Sequence, residues 1–192
     1  MTIVLTVIIG YLLGSVPVSL LVARAHGVDL YATGDGHPGA WNALEQLGGR
    51  RAWPAFIGDA LKGLLGGVAG WLLAGAAGAY TGVAAAMAGH AFPVFARLRG
   101  GKAVMTFVGG AFALAPIPAT LCLVVCATLG RAHSFALGAR VGVAAFPVAQ
   151  LVFQGVERVI ATGGLMCLIG ALFLLRRRSV PARSASGAAP TS

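Results

Sequence analysis

Residues 89–106 read Gly-His-Ala-Phe-Pro-Val-Phe-Ala-Arg-Leu-Arg-Gly-Gly-Lys-Ala-Val-Met-Thr. Three cations, Arg97, Arg99 and Lys102, and one imidazole, His90, stand together here between two apolar stretches. Charge gathered in such surroundings points to an anionic ligand. Gly100 and Gly101 let the backbone approach that ligand closely, and Lys102 falls where the next helix should begin. The unpaired N–H groups and positive dipole end of a helix start favour a phosphate or a carboxylate. The competing explanation is a short loop whose basic residues only set topology, but topology alone requires neither the two glycines nor His90.

A second polar group lies inside an apolar run. Asp59 and Lys62 are three residues apart, hence on one helical face. Ionisable groups at that depth usually face a bundle interior or a wet cavity. The pair is therefore either an ion pair holding two helices together or part of a cavity wall, and the two readings are compatible. Gly63, Gly66, Gly67 and Gly70 follow, with two overlapping GxxxG spacings that admit another helix at close range. A third group sits in the longest connection, residues 26–52. Within it, residues 33–42 read Thr-Gly-Asp-Gly-His-Pro-Gly-Ala-Trp-Asn, with three glycines and one proline. That stretch argues against regular helix and offers backbone N–H groups together with Asp35, His37 and Asn42. Cys122, Cys126 and Cys167 lie in apolar surroundings, with neither metal-ligand spacing nor a disulfide framework, and read as small buried residues.

The elements that carry these groups are set by composition. Of 192 residues, 58% are hydrophobic and 10% charged, against roughly 25% charged in a soluble domain. No charge precedes Arg24, so the first apolar run is expected to be a retained helix rather than a signal with a basic leader. Seven spans are expected, at residues 3–25, 53–76, 78–95, 103–115, 118–130, 141–153 and 161–175. The shorter ones must tilt or sit in thinned bilayer. The expectation is one all-α integral membrane domain, residues 1–178, with a Ser/Ala/Pro-rich disordered tail at 179–192. Apart from Lys62 and Arg158, every Lys and Arg falls in the odd-to-even connections or the tail: Arg24, Arg50, Arg51, Arg97, Arg99, Lys102, Arg131, Arg140, Arg176, Arg177, Arg178 and Arg183. The positive-inside rule then places the N-terminus outside and the C-terminus in the cytoplasm. A net charge of +9 suggests anionic lipid and an anionic substrate, and no nucleic-acid-binding motif is present.

Four stretches resemble the bacterial acyl-phosphate:glycerol-3-phosphate acyltransferases, small multi-pass enzymes of the cell membrane with seven helices. They are Gly-Tyr-Leu-Leu-Gly-Ser-Val-Pro at 10–17, the 34–48 loop, Asp-Ala-Leu-Lys-Gly at 59–63, and residues 89–106. A weaker trace, Arg-Ala-His-Ser, follows at 131–134. The family's loop reads Gly-Ser-Gly-Asn-x-Gly-Ala-Thr-Asn and is followed by an arginine. This chain has Asp35, His37 and Trp41 in place of the Ser, Asn and Thr, and Glu45 in place of the arginine. Ala103 stands where the family has Gly, and the family's C-terminal His-Arg-x-Asn-Ile motif is not recognisable.

The resemblance implies a reaction in which acyl phosphate and glycerol 3-phosphate give lysophosphatidic acid and phosphate, without cofactor or metal, on the cytoplasmic side of the membrane. An acyl phosphate is already activated, so positioning and charge stabilisation suffice without a covalent enzyme nucleophile. Lys102, Arg99 and the Gly100 and Gly101 amides are expected to bind phosphate. Asn42 and the Gly36–Gly39 backbone would orient the acyl phosphate, His90 would carry a proton or pack at a helix end, and Ser134 carries over as a substrate contact. Asp35 and Glu45 add negative charge to the site, with Glu45 facing either the pocket or Arg50 and Arg51. Asp59 and Lys62 are placed in its wall, and membrane lipid surrounds it. Two other readings stay open: a family member that binds an anionic lipid without turnover, and a small transporter.

Overall fold

A computed structural model describes residues 1–177, and all its regular elements are helical. The expected tail at 179–192, with Arg178 and Arg183, lies outside the described residues. Helices α1 (Thr2–Ser15) and α2 (Val18–Ala25) form one apolar stretch interrupted at Pro17. A proline ring has no N–H and drives the preceding residue out of helical geometry, and Val16 accordingly sits at φ −63, ψ 117. A turn-rich loop leads to α3 (Ala40–Leu47). That short helix corrects the expectation of no regular structure in residues 33–42. The glycines and proline end at Gly39, and Ala, Leu, Glu and Gln then favour helix.

Helix α4 (Gly49–Ala91) is a hairpin whose limbs, 49–73 and 76–91, reverse at Ala74 (φ −148, ψ 27) and Gly75 (φ 60, ψ −147). Gly70 meets Gly78 and Gly66 meets Gly82 across the hairpin. A 3-10 turn, Val94–Ala96, precedes α5 (Val104–Leu114), α6 (Pro116–Ala132), α7 (Phe135–Gln154) and α8 (Val156–Arg177). Counting α1 with α2 as one and α4 as two, seven apolar segments result. Four stretches are long and apolar enough to span, while α5 and α6 are shorter, with 11 and 17 residues. At a rise of about 1.5 Å per residue α5 is only about 16 Å long, well short of a hydrocarbon core of about 30 Å. Two spans begin earlier than expected, α7 at Phe135 and α8 at Val156. Arg140 and Arg158 mark no loops; they lie within the first two turns of α7 and α8, where long side chains can reach outward.

Alternating helix directions put all polar loops at one end. There Phe135 stacks on Trp41 (5.9 Å) and meets Phe56 edge-on (5.7 Å), and Lys102 Nζ lies 4.7 Å from the ring of Phe173 near the end of α8. At the other end, the Gln150 amide donates to the Tyr80 hydroxyl (3.2 Å) and to Gln154 (3.0 Å). Gln154 in turn donates to the Leu114 carbonyl (3.3 Å) and Tyr80 to the Arg158 carbonyl (3.2 Å). The expected close helix approach is present. A Cβ on Gly63 would lie 1.8 Å from the Thr106 carbonyl oxygen, and one on Gly109 would lie 1.7 Å from that of Ala60. Small residues thus let α4 and α5 pack backbone to backbone, the chief attraction between helices where lipid surrounds them. Val83, Met87, Phe107, Phe146 and Leu172 form the main core. Leu30 with Ala23, Ala43 and Ala52 seats the loop that follows α2.

Candidate active site

The turn after α4 is built by reversal without glycine. Arg97 (φ 53) and Leu98 (φ 60) both adopt the left-handed region and send the chain back along its own helix end. The Gly100 N–H then donates to the Ala91 carbonyl at 3.1 Å and the Gly101 N–H to the His90 carbonyl at 3.2 Å. These two amides close the C-terminal turn of α4, so they are not the free phosphate donors that the glycines suggested. The glycines answer to space instead. A Cβ on Gly100 would come 1.9 Å from the His90 carbonyl oxygen, and one on Gly101 would come 2.5 Å from both His90 Nε2 and the Pro38 carbonyl oxygen.

Lys102 follows and leads directly into α5, whose first residue is preceded by Ala103 at φ 59. No side chain caps this helix start, which leaves its first N–H groups without a side-chain acceptor among the described residues. The Lys102 side chain keeps 26% of its exposure, and its Nζ sits 2.8 Å from Asp35 Oδ2. Arg99 is exposed, with its guanidinium 4.4 Å over the Tyr31 ring, while the Tyr31 hydroxyl donates to the Arg99 carbonyl at 2.8 Å.

The loop facing this turn is fastened from inside. Asn42 is 2% exposed, and its Nδ2 donates to the carbonyls of Leu30 (3.2 Å), Thr33 (3.1 Å) and His37 (3.1 Å). Its amide therefore holds the loop rather than facing the surface. Gly36 sits at φ 71 and donates its N–H to the Thr33 carbonyl at 3.1 Å, whereas Gly39 is extended and caps α3. Asp35 Oδ1 accepts the His37 N–H at 3.0 Å. Glu45 is exposed and accepts from Trp41 Nε1 at 2.7 Å, one helical turn away. Its partner is a tryptophan, and among the described residues no ion pair joins it to Arg50 or Arg51. Ser134 caps α7, accepting from the Leu137 N–H at 3.2 Å. It belongs to the same end of the bundle through its neighbour Phe135, which stacks on Trp41.

Asp59 and Lys62 lie one layer deeper. They are 1% and 6% exposed and 2.9 Å apart. Ser19 donates to Asp59 Oδ2 at 2.5 Å, His90 Nδ1 lies 3.6 Å from Asp59 Oδ1, and Lys62 Nζ donates to the Val16 carbonyl at 2.9 Å. The cluster walls a cavity of about 10 Å³ that also touches Arg99 and Gly100. Such a volume holds about one water. Both readings of the pair therefore meet here, since the ion pair clamps the break at Pro17 and also walls a small cavity. Tyr31 and Phe173, which flank Arg99 and Lys102, carried no signal in the sequence, because each arrives from a distant segment.

A multi-pass membrane protein whose cationic turn, fastened glycine loop and final helix end converge at one end of seven apolar segments is the class that fold and site define. A family profile described as glycerol-3-phosphate acyltransferase matches residues 4–187. The chain belongs to that family. A glycerol-3-phosphate acyltransferase of Rubrobacter xylanophilus is 48% identical over 118 residues, which cover 59% of this chain but only 57% of the relative. One from Jannaschia sp. is 36% identical over 188 residues, covering 97% of this chain and 91% of the relative. The crystal structure of PlsY (YgiH), an integral membrane glycerol 3-phosphate acyltransferase, in its glycerol 3-phosphate form superposes with a TM-score of 0.77 at 27% identity. That similarity covers 93% of this chain and 89% of the other, and a lysophosphatidic acid form of the same enzyme gives a TM-score of 0.74.

Proposed function

We propose that this protein transfers an acyl group from acyl phosphate to glycerol 3-phosphate, giving lysophosphatidic acid and inorganic phosphate, at the cytoplasmic face of a bacterial cell membrane. Family membership supports the reaction, as do the two substrate- and product-named forms of the similar solved enzyme. The observation that carries the site is Lys102, half-buried at the uncapped start of α5 with Arg99 beside it.

In the reaction the acceptor hydroxyl oxygen attacks the acyl carbonyl, the carbon–oxygen bond to phosphate breaks, and the hydroxyl proton leaves with the phosphate or to water. Charge builds on the carbonyl oxygen and the departing phosphate, where a preorganised cation acts best. Lys102 and Arg99 supply that charge. Asn42 and Gly36 act by fixing the loop that faces Lys102, and Ser134 by fixing the start of α7. His90 supports the Gly100–Gly101 turn from below, backed by Asp59. Glu45 is held by Trp41 rather than by Arg50 or Arg51. Acyl chains reach the site from surrounding lipid, between helices whose outer faces are apolar.

The experiment is an assay of the purified protein in detergent or proteoliposomes with acyl phosphate and glycerol 3-phosphate. Lysophosphatidic acid formed in step with phosphate release is expected. A protein that binds either compound but releases no phosphate above background would sink the proposal in favour of a non-catalytic lipid-precursor binder.

A further inference from the structure

Asp35 is held at both oxygens of its carboxylate. Oδ1 accepts the His37 N–H at 3.0 Å, and Oδ2 faces Lys102 Nζ at 2.8 Å. Its backbone is held as well, by the Gly36 turn and by the Asn42 amide that gathers the Leu30, Thr33 and His37 carbonyls. A carboxylate fixed at that distance offers the lysine the charge and hydrogen-bond geometry of one phosphate oxygen. The pair is nonetheless accessible, since the Asp35 side chain keeps 40% of its exposure. The other nearby acids are engaged elsewhere: Glu45 with Trp41, and Asp29 with the Tyr31 N–H at 2.9 Å.

The geometry points to Asp35 as an internal competitor that a substrate phosphate must displace from Lys102, so that this residue sets how strongly the site takes a phosphate-bearing substrate. The inference rests on the reading of Lys102 as the phosphate-binding residue. Both substrates carry a phosphate, and either could be the one that competes. Displacement costs the pair's electrostatic attraction and leaves a carboxylate near the incoming dianion, and both effects weaken with salt. The alternative is that Asp35 only makes the turn with His37. Asparagine keeps that turn, because its side-chain oxygen still accepts the His37 N–H, while it removes the charge.

The test measures steady-state kinetics for wild type, Asp35→Asn, Asp35→Ser and Lys102→Ala. In one arm glycerol 3-phosphate is varied at saturating acyl phosphate, and in the other the reverse. Removing the charge should lower KM in at least one arm by roughly 2- to 5-fold at low salt, the upper range for partly exposed ion pairs. The difference should shrink at about 0.5 M salt, where screening acts within a few ångströms. The arm in which KM falls identifies whose phosphate meets Lys102. A purely structural Asp35 would raise KM or lower kcat on substitution, and would not lower KM. KM unchanged or raised in both arms for both Asp35 variants overturns the inference. Should Lys102→Ala keep wild-type kinetics, it is the reading of Lys102 that fails, and the two failures are told apart by that variant. If one Asp35 variant does not accumulate, the other decides the outcome.

Discussion

Asp59 lies at a depth where an isolated carboxylate would be very costly, and three side chains surround it. Lys62, Ser19 and His90 surround its two oxygens, and Lys62 also satisfies the Val16 carbonyl, exposed by the break at Pro17. Removing one partner of such a pair strands the other, at a cost of about 3–5 kcal/mol, whereas removing both can be close to neutral. Asp59→Asn should therefore lower the thermal unfolding midpoint in detergent markedly. Asp59→Leu combined with Lys62→Met should lose less than Asp59→Asn alone. A double variant that loses more than the single one would mean that the two charges act separately. Single residues also show what a sequence conceals. The pairing of Asp59 with Lys62 was legible from their spacing, and so in principle was Trp41 with Glu45, four apart on α3. The pairing of Asp35 with Lys102 joins positions 67 apart in sequence, and only the tertiary fold brings them together.

At the scale of elements, the decisive piece is the reversal between α4 and α5. Its composition was plain to read, but its hydrogen bonds were not. The glycines looked like phosphate cradles because glycine amides often are. Here Arg97 and Leu98 turn left-handed without help from glycine, and the turn then folds the Gly100 and Gly101 amides onto the carbonyls of α4. The same reversal leaves Ala103, 1% exposed, at φ 59. A left-handed alanine costs roughly 1–2 kcal/mol, while glycine elsewhere gives up about 0.5–1 kcal/mol through chain entropy. Ala103→Gly should thus stabilise the protein by about 0.5–1 kcal/mol, read as a raised unfolding midpoint in detergent. A lowered midpoint would show that the Ala103 methyl group contributes more by packing than its backbone loses. Short α5 was predicted within a residue at each end, because Gly-Gly-Lys and Ala-Pro punctuate it. The starts of α7 and α8 are not legible in the charge pattern, which assigns Arg140 and Arg158 to connections although both ride within helices.

For the whole molecule, the seven segments alternate so that every polar loop of the proposed site falls at one end and the Gln150–Tyr80–Gln154 network at the other. We propose, from the concentration of Lys and Arg at the first end, that this end faces the cytoplasm. In a variant lacking Cys122, Cys126 and Cys167, cysteine introduced by Arg158→Cys should react with an impermeant reagent in intact spheroplasts, and Arg97→Cys should react only after lysis. The reverse pattern would invert the orientation. What the fold as a whole accomplishes is to bring a cationic turn, a fastened loop and the end of α8 around Lys102. The most direct test of that account is acyl transfer by purified Lys102→Ala, with protein level and unfolding midpoint matched to wild type. Loss of one charge-assisted phosphate contact in a partly dry site should remove about 2–4 kcal/mol of transition-state stabilisation, hence roughly 30- to 1000-fold in kcat/KM, while Arg97→Ala loses far less. Equal and small losses in the two variants would contradict the account and place the phosphate site elsewhere.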